Sequence, residues 1–217
     1  MSSATRLAAS FDAIRERLFA LPRDLPLHGE ALVASLMSRV GGEGVTTIAV
    51  GLARAIARTR TLRVLLIDYD AGPRGAAAML GVPATVFPGW GVGDETTASA
   101  IDAALVPVDP GRFDLLTLDR SVPSGFMADA LWGEAFARLR ASHDVVLVDA
   151  GSMRRPQALR WAGIADARLL VLDTNRTTEE ELERFKAEWQ ASGRGLDAVI
   201  LSKRDYHVPG FLYRHVR

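Results

Sequence analysis

Ser38-Arg39-Val40-Gly41-Gly42-Glu43-Gly44-Val45-Thr46-Thr47 is the stretch whose reading decides the fold. Before it lies an apolar run, 31–37, that reads as a buried strand. After it, Ile48, Leu52 and Ile56 mark one face of a helix over 45–58. A glycine-rich turn between a strand's end and a helix's start is where backbone N–H groups and the helix dipole converge on phosphate. Gly41, Gly42 and Gly44 allow the backbone angles that such a nest needs. Thr46 holds the position whose hydroxyl helps bind Mg²⁺ in loops of this kind. The expected phosphate-binding set is therefore Gly41, Gly42, Glu43, Gly44, Val45, Thr46 and Thr47.

Val45 stands where such a loop carries a lysine. Losing one charge-assisted phosphate contact costs about 1.5–3 kcal/mol of binding. Phosphoryl transfer suffers more, because it depends on positioning and electrostatics. A replacement cation could come from Arg39, Arg74 or a neighbouring subunit.

Outward from the loop, further apolar runs occur at 62–67, 113–118, 145–148, 168–172 and 196–201. Runs without polar alternation suit parallel strands covered on both faces. With helices between them, they predict an α/β fold, a doubly wound and mostly parallel sheet whose ligands bind beyond the strands' carboxyl ends. Thr177 with Glu180 and Thr178 with Glu181 offer two overlapping capping boxes for a late helix. Residues 81–112, rich in Gly, Pro and Thr, read as a long excursion over the sheet edge.

Two strands end in carboxylates at the edge that carries the glycine loop: Asp68 and Asp70 after 65–67, and Asp149 after 145–148. These three are the candidate catalytic groups. Thr46, Asp68 and Asp149 are the candidate Mg²⁺ ligands. Equal numbers of basic and acidic residues, 26 each, argue against a nucleic-acid partner. The chain has no cysteine, so disulfides and thiolate metal sites are excluded. No charge-free apolar run reaches 18 residues, and a soluble protein is expected. The 217 residues divide into an amphipathic helix and connector at 1–29, an α/β domain at 30–205, and a basic, aromatic tail at 206–217.

Gly42-Glu43-Gly44-Val45-Thr46, 65–70 and 145–149 resemble, in order and spacing, the three motifs of the bacterial tyrosine kinases of capsule and exopolysaccharide synthesis. Those kinases fall within the MinD- and ParA-like deviant P-loop ATPases. Leu80-Gly81-Val82-Pro83, the stretch 165–177 and Val199-Ile200-Leu201-Ser202 extend the resemblance over about residues 30–205. It implies ATP or ADP with Mg²⁺ as ligands, bound weakly or not at all because of Val45.

Departures accompany the resemblance. Gly72 takes the arginine position of the second motif, although Arg74 is near. Ser202 takes an asparagine position that lies near the base in relatives. The N-terminal oligomerisation motif survives only as Asp12, Arg15 and Leu18. Tyr69, Tyr206 and Tyr213 are the only tyrosines, so the autophosphorylated cluster is missing. The resemblance therefore implies a pseudo-enzyme: a regulator beside a polysaccharide co-polymerase, cytoplasmic or peripheral at the inner membrane through that partner, with a homo-oligomer as a further option. Two alternatives remain open. One is an active kinase or ATPase with a substitute cation. The other is a MinD/ParA-like positioning ATPase, disfavoured because Val40 occupies that group's signature lysine position.

Overall fold

The computed structural model describes residues 3–21, 31–59, 61–69, 72, 75–87, 97–119, 130–191 and 195–203. Among them the chain runs α1 (Ser3–Ala20), β1 (Leu32–Ser38), α2 (Val45–Ala57), β2 (Val64–Asp68), α3 (Ala76–Leu80), β3 (Val86–Phe87) and α4 (Thr97–Ala104). It continues through β4 (Leu105–Asp109), β5 (Phe113–Leu118), α5 (Ala130–Ser142), β6 (Val145–Ser152), α6 (Pro156–Ile164), β7 (Ala167–Asp173), α7 (Glu179–Ala191) and β8 (Ala198–Ser202). The sheet order is β3-β5-β2-β6-β1-β7-β8, with β4 paired to β5. Every pairing is parallel except that of β4. The doubly wound, mostly parallel α/β sheet expected from the sequence is present.

All seven residues of β1 are buried, and their alternation sorts them between two layers. Leu32, Ala34 and Leu36 join α1 and α2 on one face, with Leu18, Leu52 and Ile56. Val33 joins the other face with Trp132, Phe136 and Trp161 of α5 and α6. This period of two, buried on both sides, is why the strand shows no polar alternation in its sequence. Trp132, Trp161 and Trp189 are all core residues; Trp90 lies outside the described residues.

The excursion expected over 81–112 contains more order than its composition suggests. It holds β3, α4 and β4. β3 has only two residues, too few to register as a strand by pattern. β4 carries Pro107, and prolines are confined to edge strands and bulges. The β4–β5 register slips between Pro107 and Asp109, and the strand is antiparallel at the periphery. Only one of the two capping boxes forms. The Thr178 hydroxyl accepts from the Glu181 N–H at 3.2 Å, and the Glu181 carboxylate accepts from the Thr178 N–H at 3.0 Å. The Thr177 hydroxyl donates instead to Glu43, 3.2 Å away.

α1 lies on α2 through a close fit at Gly51. A Cβ there would stand 2.0 Å from the Phe11 ring. The oligomerisation-motif remnants are engaged within the chain. Asp12 accepts from both Arg15 and Arg58 at 3.0 Å, and Arg15 also donates to the Ala55 carbonyl at 3.3 Å.

Gly51→Ala is expected to destabilise the protein by about 1–3 kcal/mol, since overpacking outweighs the better helix propensity of alanine. Chemical denaturation checks this. The double variant Phe11→Ala/Gly51→Ala should lose less than the sum of the two single changes, because the first makes room for the second.

Candidate functional site

The glycine loop leaves the buried end of β1 and enters α2 at Val45. Its conformation follows from where its carbonyls go, and each one from Ser38 to Gly44 has a donor. Ser38 O accepts from the Met153 N–H at 2.8 Å, Arg39 O from the Ser152 hydroxyl at 3.3 Å, and Val40 O from the Ser38 hydroxyl at 2.7 Å. Gly41 O accepts from the Arg176 guanidinium at 3.4 Å, and Gly42 O from the Lys203 ammonium at 2.7 Å. Glu43 O accepts from the Ser202 hydroxyl, and Gly44 O from the Ile48 N–H, the first helical bond, at 3.0 Å.

Within a trans peptide the N–H points opposite to the C=O. Engaging the carbonyls of Gly41, Gly42 and Glu43 therefore fixes the orientation of the N–H groups of Gly42, Glu43 and Gly44. Gly42 and Gly44 have φ of 86° and 99°, left-handed angles that a side chain would oppose. The N–H groups of Val45, Thr46 and Thr47 follow at the start of α2, where a helix has no internal acceptors. Gly42, Gly44, Val45, Thr46 and Thr47 line a cavity of about 450 Å³ with Ser38, Gly72, Ser152 and Lys203, among others. A loop of this shape at a helix start is suited to an anion.

Glu43 shapes the loop from inside. It is 0% exposed, accepting from the Val40 N–H at 3.1 Å and from Thr177 at 3.2 Å. Val45 contributes no charge. It is 6% exposed and packs into the same apolar cluster as Leu36 and Ala49.

The strand-end carboxylates are brought side by side, because Asp68 and Asp149 are register partners between β2 and β6. Each has structural work. Asp68 accepts from the Ala76 N–H at 2.8 Å and lines an adjoining cavity of about 300 Å³ with Thr117 and Asp119. Asp149, fully buried, accepts from the Gly151 N–H at 3.1 Å. Asp70 and Arg74 lie outside the described residues. The oxygen donors Thr46, Asp68 and Asp149 are chemically suited to Mg²⁺, and the nest is suited to phosphate, so this donor set fits a Mg²⁺–phosphate ligand. Among the described residues no group of three or more His, Asp or Glu side chains forms a metal cluster.

Arg39, considered from sequence as a replacement cation, is held on α7 by Glu181 at 3.6 Å. The cations beside the loop are instead Arg176 and Lys203, which sequence reading missed. They are 135 and 161 residues from the glycines they touch, and no local spacing signals such a contact. Lys203 also pairs with Asp173 at 2.8 Å. This hydrogen bond is the main reason that Asp173 ionises below the ordinary aspartate range, with burial opposing it.

Neither a family model nor a curated protein sequence matches the chain. Solved structures do. The kinase domain of VpsO superposes with a TM-score of 0.70 at 22% identity, covering 93% of this chain and 96% of that one. The kinase domain of the Escherichia coli tyrosine kinase ETK gives 0.68 at 18%, covering 93% and 79%. The MinD cell division protein of Aquifex aeolicus gives 0.61 at 20%, covering 85% and 73%. The fold is that of bacterial tyrosine kinase domains and MinD/ParA-like ATPases.

A carboxylate with a depressed pKa stabilises the fold above its unfolded value and loses that contribution as pH falls through the folded value. The Asp173–Lys203 contact is therefore expected to persist below the pH at which an ordinary aspartate protonates. Lys203→Met should raise the Asp173 midpoint back toward the ordinary value, which carboxyl-carbon NMR titration would detect.

Proposed function

We propose that the chain is a degenerate tyrosine-kinase-like P-loop protein of exopolysaccharide or capsule synthesis. In this reading it binds nucleotide phosphates weakly and regulates a polysaccharide co-polymerase without efficient phosphoryl transfer. The observation that carries this is the contrast within one loop. Every carbonyl of the loop has a donor, while Val45 is folded into the core where a lysine would reach the phosphates. Binding by N–H groups survives that change, whereas stabilisation of charge developing in the transition state does not.

The shared fold of the VpsO and ETK kinase domains supports the functional setting. Tyr69 is 2% exposed beneath Trp161, a poor phosphate acceptor; Tyr206 and Tyr213 lie outside the described residues. No helix among the described residues is long and apolar enough to cross a membrane, so attachment to the inner membrane would come through the partner. Self-association through α1 is not favoured, since Asp12 and Arg15 are engaged with α2.

One observation favours an active enzyme as the second reading. Arg176 and Lys203 place two cations on the loop's outer rim. Lys203 lines the cavity but is paired with Asp173, and Arg176 bonds the Gly41 carbonyl at the rim. A positioning ATPase has no comparable support.

Calorimetric titration with Mg·ADP and Mg·ATP tests the proposal. Val45→Lys should bind roughly 10- to 150-fold tighter than wild type, the equivalent of about 1.5–3 kcal/mol. Micromolar binding by wild type that Val45→Lys does not improve, together with robust tyrosine phosphorylation, would favour the enzyme.

A further inference from the structure

The cavity at the glycine loop has a cation of its own, and it comes from a distant part of the chain. Val45 and Lys203 both line that cavity. Val45 opens α2 and packs into the apolar core, whereas Lys203 follows β8 and brings a charge. Among the described residues that line the cavity, Lys203 is the one cation. Arg176 bonds the Gly41 carbonyl but is not part of the lining.

The backbone sets where Lys203 stands. Its φ is 53°, the one positive value at a non-glycine among the described residues. A residue with a side chain adopts such an angle where neighbouring bonds hold it there. Here the Asn175 side chain donates to Lys203 O at 3.0 Å, and the Thr174 N–H donates to Ser202 O at 3.2 Å. One residue earlier, the Ser202 hydroxyl donates to Glu43 O. The exit of β8 is thereby tied to the loop itself.

The Lys203 ammonium donates to Gly42 O at 2.7 Å and to Asp173 Oδ2 at 2.8 Å. An ammonium carries three N–H donors and no acceptor, so one donor is left beyond these two. The side chain is half exposed and borders the cavity. Asp173, by contrast, is buried and has a second donor in the Asn175 N–H at 3.0 Å. That carboxylate stays partnered when the ammonium leans toward a phosphate. We propose that Lys203 is the phosphate-contacting cation of this site, supplying the charge that position 45 lacks, and that Asp173 restrains it as a competing anion. This rests on the reading of the glycine loop as a nucleotide-phosphate site and adds the residue that gives the site its charge. The contact is charge-assisted, and so stronger than a neutral hydrogen bond.

A bridge that only braced the loop and a lysine shared with the ligand give opposite signs for Asp173→Asn. Bracing predicts that losing either partner weakens binding. Sharing predicts that losing Asp173 frees the ammonium and strengthens it. The test is calorimetric titration of the full chain with Mg·ADP and with magnesium pyrophosphate, as wild type and as Val45→Lys. Lys203→Met should weaken both ligands at least about tenfold in the wild-type background. Lys203→Arg, which keeps the charge, should recover part of that loss. Asp173→Asn should tighten both ligands roughly two- to fivefold, and by less once Lys203 is methionine. In Val45→Lys, where a second cation is present, Lys203→Met should cost less than in wild type. Unchanged affinity in Lys203→Met, weaker binding in Asp173→Asn, or binding seen only with Val45→Lys overturns the lysine assignment while the phosphate reading stands. No binding of either ligand by wild type or by Val45→Lys overturns both.

Discussion

The site depends on one constraint: the carbonyls of Ser38 to Gly44 must all find donors. Backbone oxygens seek partners, and a tight loop cannot supply enough of them itself. Here they come from elements scattered along the chain: the end of β6, the β7–α7 turn, the exit of β8 and the first turn of α2. The parallel sheet makes this possible. It sets β1 between β6 and β7, with β8 beyond β7, so every donor arrives at the same edge. The same bonds that satisfy the oxygens fix the orientation of the loop's N–H groups. The shape of the cavity thus follows from hydrogen bonding in the loop's wall.

That origin explains how the loop keeps its shape with a valine at position 45. The nest is held from outside by Ser202, Lys203, Arg176 and Ser152 and from inside by Glu43. None of these contacts involves the side chain at position 45. Valine there packs against the core as an apolar first residue of α2. Charge and geometry, which most phosphate loops deliver together, are separable. The positive charge that lines the cavity comes from Lys203, already paired with Asp173, and not from position 45.

The strand-end carboxylates show the same economy. Asp68 tethers the start of α3, and Asp149 holds the turn that follows it in β6. Gly75 must be a glycine for the first of these, since a Cβ there would lie 2.9 Å from the Asp68 carboxylate. Each acid contributes to the architecture of the cavity wall whether or not a metal is held. Their positions in the sequence therefore speak to structure and to chemistry at once.

The sequence by itself determined the sheet, the glycine loop and the strand-end edge that carries it with Asp68 and Asp149. Those signals are local: apolar runs that need burial on both faces, glycines that need left-handed angles, and acids at strand ends. It also showed an uncharged residue at position 45, since Val45 is legible without coordinates. Local pattern did not reveal β3 or β4, where two residues and a proline leave too little signal. Nor could it separate the two capping boxes: both have the right spacing, and only the approach of Glu43 diverts Thr177 from the helix. The partners of the loop were decided by tertiary structure alone. Arg176 and Lys203 reach Gly41 and Gly42 because parallel strands set distant strand ends side by side. A carbonyl's need for a donor is fixed by its own residue, but which donor answers depends on what the fold places next to it.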